Sequence, residues 1–208
     1  MVDFVTRYRG REVATPSKQI QKAADKLSPR TRKKIGGLAA REMRRYLASV
    51  AATLAERHGV PWQRGQGRQV NLTKRSGRGI GSLKNILITQ RGESVTGNIR
   101  LNKYMAVHEH GAIIKAKRAK YLTIPLDAAL NDNGTPKKRS AREWQNTLVS
   151  RSKRGNLIIF QKRGRRVVPL YVLKEKVRIP ARLGLRKELS KQRTAFRRSL
   201  IARIKELT

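Results

Sequence analysis

Charge constrains this chain before anything else does. Over 208 residues, 50 lysines and arginines face 13 aspartates and glutamates, a formal balance of +37. A compact fold carrying so much like charge repels itself, so counter-ions or a polyanionic partner must neutralise much of it in the working state. Phosphate backbones are the commonest such partner, and anionic membranes and acidic proteins are the other two classes.

The length suits one domain, or one domain with an arm. The 38% of apolar residues come in periodic blocks that can build a core, which argues against disorder throughout. The absence of cysteine excludes disulfide frameworks, Cys-ligated zinc and thiol nucleophiles. The start, Met1-Val2-Asp3-Phe4-Val5-Thr6-Arg7, has no apolar signal core, and no run approaches the roughly 20 residues of a membrane helix. The expectation is a soluble, intracellular protein with no membrane partner.

Residues 1–27 read as an N-terminal arm with a short helix from Lys18 to Leu27; such an arm either reaches a neighbouring subunit or stays disordered. Residues 28–208 read as a single domain. Ser28-Pro29 opens a helix, since serine caps the orphan backbone donors and proline is tolerated in the first turn. Ile35, Leu38, Ala39, Met43, Tyr46, Leu47, Val50, Ala51 and Leu54 follow at spacings of three and four, which predicts one long amphipathic helix. His58-Gly59 ends it, with Gly59 as a left-handed cap and Pro61 barring continuation. Residues 62–82 set Arg64, Arg68, Lys74, Arg75 and Arg78 among five glycines, a basic loop long enough to imply a function or disorder until a partner arrives.

From Leu83 the period changes. Ile86 and Ile88 alternate, Gly92 turns, and Val95, Gly97, Ile99 and Leu101 answer, which predicts a β-hairpin. Asn102 to Gly111 reads as a short helical turn and Tyr121 to Leu126 as a strand stopped by Pro125; Asp127 to Lys138 is a polar excursion, followed by one turn at Ala141 to Asn146. Leu148-Val149, Leu157 to Phe160 and Val167 to Val172, separated by basic turn segments, predict a β-meander with cationic tips. Ile179-Pro180 closes a strand, and Leu185, Leu189, Phe196, Leu200, Ile204 and Leu207 lay out a C-terminal amphipathic helix. The class is α+β: an antiparallel β-sheet, hairpin plus meander, packed against a long N-terminal helix and a C-terminal helix.

His108-Glu109-His110 lacks the four-residue spacing that lets two histidines on a helix share one metal ion, so it reads as a structural turn ending in Gly111. Gly77-Arg78-Gly79-Ile80-Gly81 has neither a preceding strand nor a Lys-Ser/Thr pair, and reads as a flexible loop touching phosphates rather than a nucleotide site. The acids are scattered, and Glu42, Glu56, Glu143, Glu175 and Glu188 mostly fall where a nearby Arg or Lys would pair with them. No enzyme activity, metal or cofactor is expected. Candidate phosphate contacts are the loop cations Arg64, Arg68, Lys74, Arg75 and Arg78, then Lys115, Lys117, Arg118 and Lys120, and the meander cations Lys153, Arg154, Lys162, Arg163, Arg165 and Arg166. Several of these clusters are expected to converge at one sheet edge. Aromatic residues are 5% of the chain and do not alternate with basic ones, so the contact should be electrostatic and sequence-independent. Trp62 and Trp144 read as packing residues.

Tyr104 to Gly111, followed by Ala119 to Leu126, resembles the neck and tail-completion proteins of tailed phages and prophages, in which a His/Glu-Glu-x-Gly turn precedes a strand ending in proline. Leu157 to Gln161, Val168 to Leu173 and Val177 to Arg182 are similar to the closing strands of that group. His108, Glu109, Gly111, Pro125 and Pro180 carry the likeness, which spans roughly residues 80–208. His110 stands where a small or aromatic residue is usual, and Leu183-Gly184-Leu185 replaces Pro-aromatic-Leu. Connector, tail-terminator and tail-completion roles therefore stay open. The resemblance implies a sixfold or twelvefold homo-oligomeric ring in the virion neck, made in the host cytoplasm, between portal or adaptor and tail-terminator or tail-tube proteins, with duplex DNA passing through. A ribosomal-type RNA-binding structural protein is the main alternative. A metal-dependent nuclease would need a carboxylate cluster, and Asp127 and Asp132 make a poor one.

Overall fold

Ser28 has extended backbone, and its Oγ accepts the Thr31 N–H at 3.3 Å, starting α1 (Pro29–Arg57). This computed structural model describes residues 4–8, 11–14, 28–65, 70–91 and 94–206, the first two segments as backbone only. The helix expected at Lys18–Leu27, the turn at Gly92 and Leu207 lie outside the described residues. The left-handed cap expected at Gly59 is not formed. His58 ends α1 at φ −110°, its N–H bonding back to the Leu54 and Glu56 carbonyls, and Gly59 has no positive φ. Glycine is required there by space, because a Cβ would lie 2.5 Å from the Ala55 carbonyl oxygen.

The predicted hairpin is β3 (Ile86–Arg91) with β4 (Ser94–Ile99). The N-terminal segment adds β1 (Phe4–Tyr8), parallel to β4, and β2 (Arg11–Ala14), giving the order β2-β1-β4-β3. α1 lies on the hairpin because residue 97 is glycine: a Cβ there would sit 2.6 Å from Met43 Cγ and 2.7 Å from Leu47 Cδ1. The other side of α1 packs against α4 (Leu185–Lys205). Leu47, Val50 and Leu54 are at most 1% exposed, and full burial of such a side chain contributes about 1.5–3 kcal/mol. Tyr46 stacks on Phe196 at 4.7 Å, and its hydroxyl donates to the Leu189 carbonyl at 2.6 Å. Two buried carboxylates fasten the pair. Glu42 takes bonds from Arg45 and Ser199, and Glu188 from Arg57 at 2.6 Å and Gln192 at 3.0 Å. Gln192 first, then Arg57, holds the Glu188 carboxyl below its usual range.

After the hairpin, α2 (Arg78–Gly81) having preceded it, come α3 (Lys103–His110) and β5 (Ala112–Lys115). The meander is β7 (Thr147–Arg151), β8 (Leu157–Arg163) and β9 (Arg166–Lys174), joined by β6 (Leu122–Pro125) in the order β6-β9-β8-β7. Pro125 therefore sits on an outer strand, where a missing N–H costs no ladder bond. β10 (Lys176–Ile179) pairs with β5, a strand that the sequence reading did not anticipate. The α+β class is as expected, with the strands divided among three sheets. The meander has its own small core of Ala129, Leu170 and Tyr171, against which Trp144 packs, its Nε1 donating to Tyr171 Oη at 3.0 Å. No described helix is long and apolar enough to cross a membrane.

Candidate nucleic-acid interface

Where α1 ends, His58 ties three parts of the chain together. It is fully buried; its Nδ1 accepts the Leu72 N–H at 3.1 Å, so the ring proton lies on Nε2, which donates to the Leu183 carbonyl at 3.0 Å. Burial is the main force holding its pKa below the ordinary imidazole value; Arg57 adds to this and the Leu183 bond opposes it. The basic loop is pinned further on. Trp62 N–H donates to the Lys74 carbonyl at 2.9 Å, and Lys74 N–H to the Val60 carbonyl at 2.8 Å. The Arg75 guanidinium lies 5.4 Å over one face of Trp62, and Gly134 is so close to the ring that a Cβ would meet it at 2.6 Å. Gly77, at φ +74°, starts the single turn of α2; Asn102 Nδ2 donates to the Arg78 carbonyl at 3.1 Å, and Gly79 abuts Met105. The sequence reading of residues 77–81 as a flexible loop thus gives way to a held turn, because glycines at 77 and 79 permit the conformation and the close approach.

These pins wall a cleft of about 900 Å³ between the loop, α3 and the 134–136 turn. Lys74, Arg75 and Arg78 line it together with Arg182, and no carboxylate is among its described lining residues. A concave surface carrying one sign of charge focuses its field on an incoming ion of the other sign. His108 lines it too, and its pKa is lowered by burial, then by Arg182 and His58.

The remaining candidate cations do not converge on one edge. In the meander register, Arg163 faces Arg166 at one end of β8, whereas Leu157 faces Leu173 at the other. Lys162, Arg163, Arg165 and Arg166 therefore gather at one end. Lys153 and Arg154 lie at the opposite end, where Leu122 pairs with Lys174, so Lys120 is nearby in the chain. Six strand steps separate the ends by roughly 20 Å. Lys115 is directly opposite Lys176 across β5 and β10, and Lys117 and Arg118 are exposed in the following turn. The register of antiparallel strands splits these clusters, since a hairpin tip at each end of β8 must point opposite ways along the strand. Arg64 binds Asp132 at 3.0 Å and the Leu130 carbonyl at 3.2 Å, which makes it part of the scaffold. Arg68 lies outside the described residues.

The 108–111 turn is a structural joint. The Glu109 carboxylate accepts the N–H groups of Leu185 at 2.7 Å and Arg186 at 3.0 Å, capping α4 where Gly184 offers no side-chain oxygen. The His108 carbonyl accepts the Arg182 and Leu183 N–H groups at 2.7 and 2.9 Å. Gly111, at φ +70°, lets the chain pass the Ile179–Ala181 backbone, and Pro180 follows β10 there. Among the described residues no group of three or more His, Cys, Asp or Glu could hold a metal ion. The sequence reading missed His58 and Arg182, whose partners are remote in the chain. A glycine inside the β4 pattern and a glycine preceding the last helix were the available signals for close packing and an unusual start.

No family model matches the chain, and no curated protein or solved structure matches it either.

Proposed function

We propose that this chain is a non-enzymatic structural protein that holds duplex DNA through its phosphates, as a ring-forming subunit of a phage neck or tail-completion assembly. One observation carries the DNA-binding part: even if all 13 carboxylates were paired, the excess of 37 positive charges would remain. Glu42 and Glu188 are spent inside the fold, held between α1 and α4, and Asp132 pairs with Arg64 at the surface. The cations are left at the surface, distributed over two meander ends, the turn after β5 and the cleft. Such a spread suits phosphate contact without base readout. The assembly part rests on the resemblance of the 104–111 and 119–126 segments, and it is supported by β7, an outer strand whose Leu148 and Val149 are 40% and 59% exposed, a surface that a neighbouring copy would cover.

The test is duplex binding across a salt series with two unrelated DNA sequences, combined with particle imaging of the purified protein. The expected result is a steep, linear fall of log affinity with log salt, equal for both sequences, and closed rings in the images. Neutralising Arg163, Arg165 and Arg166 together should flatten the slope in proportion to the number of phosphates those three side chains neutralise. Failure to bind duplex in dilute buffer, or sedimentation with ribosomal particles in place of rings, would overturn the assignment.

A further inference from the structure

The cleft differs from the other cationic surfaces in being concave and partly apolar. Ile80 and Met105 form part of its wall, and Tyr104, 68% exposed, stands at its mouth. Trp62 already carries the Arg75 guanidinium over its ring and has Gly134 packed against it, whereas Tyr104 is the exposed aromatic ring at the cleft. We propose that the cleft receives one unpaired nucleotide of a nucleic-acid strand, its phosphate among Lys74, Arg75 and Arg78 and its base against Tyr104 and Ile80.

Three considerations lead there. The volume, about 900 Å³, falls within the range of pockets that enclose small organic ligands. Cations without a carboxylate select an anion, and an adjoining apolar wall selects an anion with a flat apolar part over a mineral one. A paired base stays stacked within its helix, so a duplex would touch only the rim, whereas an unpaired or extruded base can enter. A single free aromatic side chain provides for one base and not for a run of them. The four hydrogen bonds that pin the loop, at Leu72, Trp62, Lys74 and Arg78, preform the site, which lowers the ordering cost of binding.

This inference rests on the reading of the chain as a nucleic-acid binder, and the experiment separates the two. In a Trp144→Phe background, Trp62 reports on the cleft. The full chain is titrated with hexathymidylate, inorganic tripolyphosphate and a blunt duplex, with circular dichroism confirming the fold of each variant. Hexathymidylate should quench Trp62 saturably. Arg78→Ala, or Lys74→Gln if that variant misfolds, should weaken hexathymidylate and tripolyphosphate alike by about tenfold. Tyr104→Ala should weaken hexathymidylate by about fivefold or more and leave tripolyphosphate unchanged. Arg163→Ala should leave both ligands within about twofold. The cleft assignment is overturned if Arg163→Ala costs hexathymidylate as much as Arg78→Ala, if Tyr104→Ala has no effect, or if tripolyphosphate binds as tightly as hexathymidylate. Salt-dependent duplex binding that persists through any of those outcomes leaves the broader reading standing, and its absence removes both.

Discussion

Replacing Glu109 by alanine should destabilise the protein without touching its affinity for DNA. The carboxylate reaches from the end of α3 to two first-turn N–H groups of α4, at 2.7 and 3.0 Å. The residue before Leu185 is glycine with φ +72°, which brings no capping side chain of its own. Losing a helix cap costs about 0.5–2 kcal/mol, and removing a negative charge from a helix N-terminus adds about 0.3–1 kcal/mol. A combined loss of about 2 kcal/mol lowers the melting temperature of a chain this size by about 4–8 °C. Glu109→Gln keeps one acceptor oxygen and should lose about half as much. Thermal melts followed by circular dichroism measure the shift, and a duplex titration alongside measures binding. A melting temperature for Glu109→Ala within about 1 °C of the parent would refute the capping role, since the cap is expected to contribute about 2 kcal/mol. A large fall in DNA affinity with an unchanged melting temperature would instead make the His-Glu-His segment a ligand-contacting group.

Acidification should also destabilise the fold. His58 and His108 have folded pKa values below the ordinary imidazole value, chiefly through burial, so the unfolded chain binds more protons. Their contribution is complete above about pH 6.5 and is lost as pH falls through the lowered folded values, at up to about 1.4 kcal/mol per pH unit for each histidine; urea melts between about pH 5 and 7.5 that show flat or rising stability on acidification would contradict this. Gly97→Ala should cost about 1–3 kcal/mol by overpacking against Met43 and Leu47, and coupling in a double-mutant cycle with Met43→Ala checks that this contact is the cause. Lys176→Glu should stabilise the β5–β10 pair by about 0.2–1 kcal/mol, because it turns the repulsion opposite Lys115 into attraction; the same variant should bind duplex more weakly, and an unchanged melting temperature would show that the repulsion is already screened.

Both long helices were legible because their apolar residues recur at helical spacing, although of their caps only the one at the start of α1 was read correctly. Ser28-Pro29 starts α1 as read. The hairpin and meander strands were legible from alternation and from basic turn segments between them. Sheet membership was not, because a period of two identifies a strand and says nothing about its neighbour. β5 escaped for a related reason: Ile113 and Ile114 are both exposed, at 63% and 37%, so no apolar alternation marks the strand, and its partner lies about 60 residues on, at β10. At the cleft, Lys74, Arg75 and Arg78 were visible as a basic loop. Its shape was not, since His58 holds that loop to a carbonyl 125 residues away, and Arg182 arrives from the segment before α4. Glu109 could be read as part of a turn, but the N–H donors it binds lie 76 and 77 residues further along.

The dispersal of charge has a mechanical consequence if the proposed partner is DNA. Duplex DNA places a phosphate every 1.7 Å or so along its axis, so two cationic tips roughly 20 Å apart at the ends of β8 span about six base pairs, less than one helical turn. They can thus meet phosphates on either side of a groove about 12 or 6 Å wide without entering it. Contacts of that kind are equivalent at every step along the duplex, so sliding by one base pair exchanges one set for another of similar energy. A single concentrated patch would bind one stretch more tightly and release it more slowly. The fold also keeps Lys115 opposite Lys176, a pairing that costs stability in the isolated protein and that a bridging phosphate would relieve. If DNA is the partner, repulsion retained at a sheet pair and cations divided between opposite strand ends would suit loose holding of a moving polyanion.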